Sequence, residues 1–485
     1  MGFLVTDAAV EQKGIIEGWD HFTEGGFHFY IHPKQQVHRR GKMVLIGHAY
    51  DPFLMQSSEE EILQGFSMET LDRLTGVFTV FEVSDGIKIY GDATCMQSVF
   101  YGVIDHRCYI SSHANLIGRL LDLKWDPYIK ELIGYRFFHL FGMQLPGDLS
   151  EYREIKRLVP NHFVELKNGE AFVRRFHWPH SFPMSNEEIA EKVSAVMHNN
   201  MCLIAKKWEK PAISLTGGCD SKTTLACANG LYDQFDYFSY ISSDEEETDA
   251  KAAHTICDAL NLEHHIYRIP REDSNLEDLE VTRTVLDTNC GNMWPNNPND
   301  VRKRAWFAER HLFDVEVKSW ASEIGRAYYS KRFAGRKSFG KRPTPRKCSI
   351  MYKVFLTNRK LLKKTDRVFA DYLSKYFEQA EDHPLPWQEQ FFWEFRMAAW
   401  NGLVITHEQR YSYDITIPYN NRLLLEYLLS ASPEDRINDT IYKNVREMMN
   451  AEIDATNISV QNVKHTQKRA VIENIYYMIN THLPF

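Results

Sequence analysis

The chain has 485 residues, 44% hydrophobic and 25% charged, with a formal net charge of −8. The length predicts roughly two to four domains with ample core, and the charge argues against a global positive field for nucleic acid. We find no apolar run long enough to span a bilayer and no secretory signal segment, so we expect a cytoplasmic protein without a membrane segment.

Cysteine usage gives the same indication of compartment. Eight cysteines are scattered along the chain, and no C-x-x-C pair occurs. This pattern is typical of a reduced, cytosolic protein rather than of a disulfide framework or a zinc site.

Residues 1 to about 180 are predicted to be mostly β. The apolar runs 77–83 and 87–90 flank Asp85-Gly86, and the runs on either side of Asn168-Gly169 form a similar pair. D-G and N-G are strong signals for tight hairpin turns, so two β-hairpins are expected here.

The pattern changes beyond a predicted linker at 178–183. From about residue 186, helical runs alternate with short apolar strands, for example 211–215 and 236–241. Such alternation predicts a parallel sheet in a doubly wound α/β domain. The part from about residue 385 is predicted to be mainly helical.

The most informative segment joins the strand at 211–215 to the next helix. It reads Ile213-Ser214-Leu215-Thr216-Gly217-Gly218-Cys219-Asp220-Ser221-Lys222. Main-chain N–H groups at a helix start attract anions, and glycines let a phosphate approach the backbone. Thr216 and Ser221 add hydroxyls, and Asp220 can bind a divalent metal. The segment predicts a pyrophosphate site, although an ordinary strand–helix turn can also carry two glycines.

A basic segment at 331–347 holds eight cationic side chains and no acidic one. Its glycines and prolines predict a loop. Two interpretations stay open: a solvated, mobile surface loop, or a functional segment that is either a lid over phosphates or a docking site for an acidic partner.

The turn at Thr216–Ser221 resembles the S-G-G-x-D-S loop of the PP-loop ATP pyrophosphatases, and nearly the whole chain resembles the asparagine synthetase superfamily. The N-terminal half is similar to its glutamine amidotransferase domain in the order of these motifs: Leu74-Thr75-Gly76-Val77-Phe78, Tyr90-Gly91-Asp92, Phe100-Tyr101-Gly102, Ile110-Ser111-Ser112-His113 and Val159-Pro160-Asn161-His162. The resemblance implies an α/β protein: a degenerate, Ntn-hydrolase-like αββα domain over 1–180, then a doubly wound parallel-sheet ATP pyrophosphatase domain over 186–485 with a helical C-terminal part.

The chain departs from that family at its nucleophile. The amidotransferase uses a cysteine at its mature N-terminus, whereas position 2 here is Gly2. A thiolate is the attacking group in that chemistry. We therefore expect no glutaminase activity, and expect the amine to arrive on a substrate, as in the related β-lactam synthetases and lasso-peptide cyclases.

The resemblance also implies site residues. The ATP-binding set is Ser214, Leu215, Thr216, Gly217, Gly218, Asp220, Ser221, Tyr240 and Ile241. Asp220 and Glu323 would bind Mg²⁺, with Glu323 in place of the family's aspartate. Glu408 would be the general base or an orienting carboxylate. Lys468, ranked above Lys443, would stabilise the acyl transition state.

Substrate contacts are assigned more loosely. The residues expected on the substrate side are Trp320, Arg326, Trp294, Asn296 and Asn297. Trp320 stands where β-lactam synthetase has a catalytic tyrosine, and an indole cannot act as a general base.

Together these features predict an ATP-dependent, AMP-forming ligase that joins a small-molecule or peptide carboxylate to an amine, with ATP and Mg²⁺ required. A homodimer is compatible with the sequence. Two alternatives stay open: a PP-loop enzyme that modifies nucleobases or RNA, and a non-catalytic ATP-binding regulatory protein.

Overall fold

The computed structural model describes residues 2–12, 14–273, 276–291, 298–377, 385–456, 458 and 463–482. The strands of the N-terminal half are β1 (Phe3–Thr6), β2 (Asp20–Glu24), β3 (Phe27–Ile31), β4 (Val37–Arg40), β5 (Met43–Tyr50), β6 (Thr75–Ser84), β7 (Gly86–Gly91), β8 (Phe100–Ile104), β9 (Arg107–Ser111), β10 (Lys156–Arg157), β11 (His162–Lys167) and β12 (Glu170–Arg175). Its helices are α1 (Glu59–Gln64), α2 (Met68–Arg73), α3 (Ala114–Leu120) and α4 (Pro127–Ile133).

Two antiparallel sheets pack face to face in this half. In the described residues their orders are β10-β8-β9-β1-β3-β2 and β12-β11-β7-β6-β5-β4. Phe3 and Phe29 of the first sheet contact Phe81 of the second edge-on, with ring centroids 5.7 and 5.6 Å away. Helices α1 and α2 share a core with β5 on the outside of the second sheet, and α3 lies on β9. The layers therefore run helix, sheet, sheet, helix.

Both predicted hairpins are confirmed. Strands β6 and β7 pair antiparallel across Asp85, and β11 pairs with β12 so that Lys167 lies opposite Glu170. Asn168 and Gly169 in that turn have φ of 53° and 71°. This left-handed conformation matches the twist of the flanking strands and suits these two residue types.

The C-terminal half contains a parallel sheet and many helices. Its strands are β13 (Pro211–Ser214), β14 (Asp236–Ile241), β15 (His264–Arg268), β16 (Val315–Val317) and β17 (Asp414–Thr416). Its helices are α5 (Asn186–Lys207), α6 (Cys219–Cys227), α7 (Asp244–Ala259), α8 (Leu279–Cys290), α9 (Pro298–Arg310), α10 (Tyr328–Arg332), α11 (Pro345–Tyr352), α12 (Arg359–Phe377), α13 (Trp387–Phe391), α14 (Leu403–His407), α15 (Arg422–Ser430), α16 (Pro433–Ile437), α17 (Thr440–Asn450), α18 (Glu452–Ala455) and α19 (Val463–His482), with a π-helix at Phe392–Gly402. Among these described helices, none combines the length and apolar composition needed to cross a membrane.

The order of the parallel sheet, within the described residues, is β15-β14-β13-β16-β17. All neighbours pair in parallel, so the carboxyl ends of the strands lie at one edge. The chain moves outward from β13 in one direction and then returns to the other side at β16. The predictions of an α/β chain with a parallel sheet and a mainly helical C-terminal part are confirmed, whereas the short edge strand β17 was not predicted.

The two halves share a continuous interior. One core cluster contains Tyr50 and Met96 from the N-terminal half together with Ile213 and Ile415 from the parallel sheet. The buried guanidinium of Arg422 donates to the main-chain oxygens of the N-terminal half at positions 71 and 91, both at 3.0 Å.

The basic segment at 331–347 is a loop over 333–344, as predicted, but it is helical at both ends. Its first two residues end α10, and its last three begin α11. The cations also have partners elsewhere in the chain: Lys331 Nζ lies 2.5 Å from Asp439, and Arg346 pairs with Asp366 at 2.7 Å. Because acidic residues elsewhere in the chain neutralise these side chains, the segment offers less free positive charge than its sequence suggests.

Candidate active site

A cavity of about 560 Å³ lies at the carboxyl ends of β13, β14 and β16. Strands β14 and β16 flank β13 on opposite sides, so the strand order reverses at this point. Ligands of open parallel sheets bind in the crevice formed at such a reversal, because the loops that follow the two strands separate there. The position of the cavity thus follows from the topology of the sheet.

Most of the predicted nucleotide-binding residues line this cavity. Those on its wall are Ser214, Leu215, Thr216, Asp220, Ser221 and Tyr240. Gly217 and Gly218 lie in the turn between β13 and α6, and Ile241 is buried at the end of β14; none of these three is on the wall.

Hydroxyl groups brace the turn between β13 and α6. Thr216 N–H donates to Ser221 Oγ at 3.2 Å, and the two side-chain hydroxyls lie 3.0 Å apart. The N–H of Gly218 donates to Thr216 Oγ1 at 3.2 Å. Burial raises the pKa of Asp249, and a hydrogen bond from the Gly217 main chain offsets part of that shift. An anionic ligand would therefore compete with Asp249 for the Gly217 amide.

The predicted metal ligands meet at the cavity wall, where Asp220 and Glu323 both lie. Asp220 Oδ1 is buried without a hydrogen-bond partner. Burial and the negative charge of Asp220 raise the pKa of Glu323. An unpartnered buried carboxylate oxygen beside a second carboxyl group fits a divalent cation such as Mg²⁺, which prefers oxygen ligands.

Arg326 competes for the same carboxylate. Its Nη1 lies 2.5 Å from Asp220 Oδ2, while Nε and Nη2 each lie 2.9 Å from Asp439. Arg326 does not line the main cavity but an adjacent one of about 310 Å³, which shares Glu323 and Tyr328 with it. Arg326, which was predicted to contact the substrate, thus forms ion pairs with Asp220 and Asp439 between the two cavities.

Several groups on the cavity wall were not predicted as site residues from the sequence. Arg396, Trp400 and Asn401 come from the π-helix, with the Arg396 guanidinium 4.9 Å from the Trp400 ring centre. π-Helices often occur at functional sites, but no sequence motif identified this one. Lys318, which follows β16, also lines the cavity. Its Nζ lies 5.0 Å from the ring centre of Trp320. Trp320, a predicted substrate contact, is on the wall as well.

The predicted catalytic residues lie away from the cavity wall. Glu408 is buried against Arg304 at 3.3 Å, and burial raises its pKa to about 7. Only its neighbour Gln409 lines the cavity. Lys443 and Lys468 are exposed on α17 and α19, and neither lines it. The remaining predicted substrate contacts lie outside the described residues: Trp294, Asn296 and Asn297.

Position 2, where the family resemblance would put a nucleophilic cysteine, is closely packed. A Cβ atom placed on Gly2 would lie 2.8 Å from Ser112 Oγ and 3.0 Å from the His113 ring. A cavity of about 290 Å³ adjoins Gly2 and is bounded by Trp19 and by Thr288 of α8. A cysteine side chain would not fit at position 2 without movement of this serine–histidine pair.

Comparisons with known proteins place the chain in no family. No family model and no curated protein matches it. Among solved structures it is similar to an allosteric regulatory enzyme of purine biosynthesis, with 7% identity and a TM-score of 0.23 over 44% of this chain and 60% of that chain. It is also similar to the glutamine phosphoribosylpyrophosphate amidotransferase of B. subtilis, with 9% identity and a TM-score of 0.21 over 55% and 59%. The chain spans about three fifths of these structures, and similarity at this level supports no conclusion about activity.

Proposed function

We propose that the chain is an ATP-dependent ligase that adenylates a carboxylate and transfers the acyl group to an amine, without hydrolysing glutamine. The observation that carries this proposal is the buried, unpartnered oxygen of Asp220 on the wall of the cavity where the strand order reverses. The motif resemblance to the PP-loop ATP pyrophosphatases and to the asparagine synthetase superfamily supports the choice of ATP as the ligand.

The proposed reaction has two steps. A substrate carboxylate attacks the α-phosphorus of ATP, and pyrophosphate leaves. An amine then attacks the acyl carbon, loses a proton and displaces AMP. Positioning and stabilisation of developing charge supply most of the rate in phosphoryl transfer.

Charged groups on the cavity wall suit these steps. Lys318 and Arg396 provide positive charge, although Lys318 Nζ also lies 2.8 Å from Glu316. Asp220 and Glu323 would hold Mg²⁺, whose charge neutralises the departing pyrophosphate. Asp249, whose pKa is raised, is suited to accept the proton of the amine. We accordingly assign the cationic role to Lys318 and Arg396 in place of Lys443 and Lys468.

The proposal is tested by ATP–pyrophosphate exchange in the presence of a panel of carboxylic acids. We expect Asp220→Asn to abolish exchange and to remove the rise in melting temperature that ATP with Mg²⁺ produces. The matched control is Asp233→Asn, at an exposed aspartate between α6 and β14. If ATP with Mg²⁺ does not stabilise the wild-type protein, or if Asp220→Asn keeps exchange, the proposal is wrong.

A non-catalytic ATP-binding protein is the second candidate. It is favoured by Arg326, whose guanidinium lies against one oxygen of the proposed metal ligand. In that case ATP would stabilise the protein equally with and without Mg²⁺, and no AMP would form with any acid and amine. AMP formation that depends on Mg²⁺ would exclude this candidate.

A further inference from the structure

A second group of side chains that could bind a metal ion lies outside the cavity at the parallel sheet. It bridges the two halves of the chain. His177 and His180 belong to the connection between β12 and α5, and Glu426 projects from α15. Their ligand atoms lie within 4.8 Å of one another. His177 Nε2 is 2.8 Å and His180 Nδ1 is 3.2 Å from the same Glu426 oxygen.

These distances suit a small tetrahedral ion. Zinc bonds to imidazole nitrogen and carboxylate oxygen are about 2.0–2.2 Å long, so the edges of a tetrahedral site are about 3.3 Å. The two nitrogen–oxygen separations are close to that value. The same Glu426 oxygen also accepts the His180 main-chain N–H at 2.7 Å, so the ion would replace that donor or bind the other carboxylate oxygen. The same set of two histidines and one glutamate is a known zinc ligand set.

An outer carboxylate orients the buried histidine. His177 Nδ1 lies 3.1 Å from Asp72 Oδ1, on α2 of the N-terminal half. A metal-binding histidine normally donates its second ring N–H to a carboxylate or carbonyl, which fixes the tautomer and directs the other nitrogen to the metal. Asp72 lies at that position, although its Oδ1 accepts no well-aligned hydrogen bond from the described residues.

The burial pattern leaves one side of the site open. The side chains of His177 and Glu426 are 6% and 1% exposed, whereas that of His180 is 59% exposed. Three protein ligands with a solvent-facing fourth position are typical of a zinc ion that retains a water molecule. The other such group in the described residues, His38 with Glu59 and Glu60, has Lys207 Nζ 2.6 Å from Glu59, and this positive charge opposes a cation.

We propose that His177, His180 and Glu426 bind one Zn²⁺ ion that fastens the connection between the two halves to α15. Asp72 links the ion to α2, so the ion joins elements of both halves. The proposal is independent of the ligase reaction, since these residues do not line the cavity at the parallel sheet.

The test is zinc titration by calorimetry of full-length protein first dialysed against chelator. We expect one saturable site in the wild type, visible d–d absorption typical of tetrahedral Co²⁺ when cobalt replaces zinc, and a higher melting temperature with Zn²⁺. His180→Ala, at an exposed position, should weaken binding by roughly tenfold or more and remove the thermal shift, and Asp72→Asn should weaken it by roughly tenfold.

His38→Ala is the matched control, because it removes the histidine of the other group. It should bind Zn²⁺ as the wild type does. The proposal is overturned if the wild type shows no saturable binding, or if His180→Ala binds Zn²⁺ as tightly as His38→Ala.

Discussion

Two alanines next to the proposed metal ligand Glu323 adopt left-handed backbone conformations. Ala321 and Ala327 have φ of 71° and 49°. A residue with a Cβ atom pays roughly 1–2 kcal/mol for this conformation, which glycine adopts freely. The backbone at Ala321 thus adopts a conformation that suits glycine better than alanine.

Replacement of Ala321 by glycine is expected to raise the free energy of unfolding by up to about 1 kcal/mol. Relief of the left-handed strain exceeds the extra freedom that glycine gains in the unfolded chain. Urea denaturation measures the change. Ala195→Gly, at an exposed position inside α5, is the control and should lower the same free energy by about 1 kcal/mol. A comparable loss in Ala321→Gly would contradict the prediction.

Glu408 is expected to make stability depend on pH. Burial raises its pKa from 4.5 to about 7, so the folded state holds the proton more tightly than the unfolded state. The contribution of Glu408 to the free energy of unfolding is fully present below pH 4.5 and is lost as the pH rises through about 7. The loss is at most roughly 3–4 kcal/mol, at about 1.4 kcal/mol per pKa unit.

Unfolding measured on both sides of this pH window checks the prediction. Glu408→Gln should show a smaller fall in the free energy of unfolding across the window than the wild type, because glutamine does not titrate. Glu434→Gln, at an exposed residue of α16, should behave as the wild type does. Equal pH dependence in all three proteins would show that Glu408 does not titrate in this range.

At the scale of elements, the buried pair Arg175–Glu394 connects β12 to the π-helix. The guanidinium contacts both carboxylate oxygens, at 2.5 and 2.8 Å. Arg175→Met should lower the free energy of unfolding by about 3–5 kcal/mol, because it leaves a buried carboxylate unpaired. Denaturant titration measures this loss.

Two further variants make the prediction specific. Arg175→Met combined with Glu394→Met should recover part of the loss, since no charge is then buried alone. Lys337→Met breaks the exposed pair with Glu434 and should cost less than about 1 kcal/mol. If the double variant is less stable than Arg175→Met, the buried charge is not the cause.

Elements whose formation depends on a few neighbouring residues could be predicted from the sequence. Elements that depend on residues distant in the chain could not. The turns at Asp85-Gly86 and Asn168-Gly169 depend on two residues each, so the hairpins followed directly. The motif at 213–222 could be recognised because a strand, a glycine turn and a helix start are adjacent in the chain. Strand β17, only three residues long, exists because β16 offers it an edge, and that information is not local.

The same limit applies to the candidate site. Thr216, Asp220 and Ser221 are close together in the chain, so one motif identified all three, and all three line the cavity. Arg396 is brought there by long-range packing of the π-helix, which no short motif encodes. Glu408 was one position away from the residue that lines the cavity, and a motif match cannot determine which way a side chain turns.

At the scale of the whole molecule, unfolding is expected to be a single cooperative transition. One hydrophobic cluster spans both halves, and the buried Arg422 side chain joins them by hydrogen bonds. Neither half can lose its packing without exposing the interior of the other. Calorimetry should give one heat-capacity peak whose calorimetric and van't Hoff enthalpies agree. Two resolved peaks would indicate that the halves are thermodynamically independent.

The π-helix gives the cavity an unusual dependence on main-chain spacing. Its main-chain hydrogen bonds join residues five apart in the chain, whereas those of an α-helix join residues four apart. Arg396, Trp400 and Asn401 therefore lie on one face, although in an α-helix the fifth residue along would turn well away from the first. Loss of a single residue upstream within Phe392–Gly402 would restore ordinary helical spacing and rotate these side chains relative to one another. The shape of the cavity is thus encoded partly in the length of one segment, so an insertion or deletion there could alter ligand selection while every wall residue type is retained.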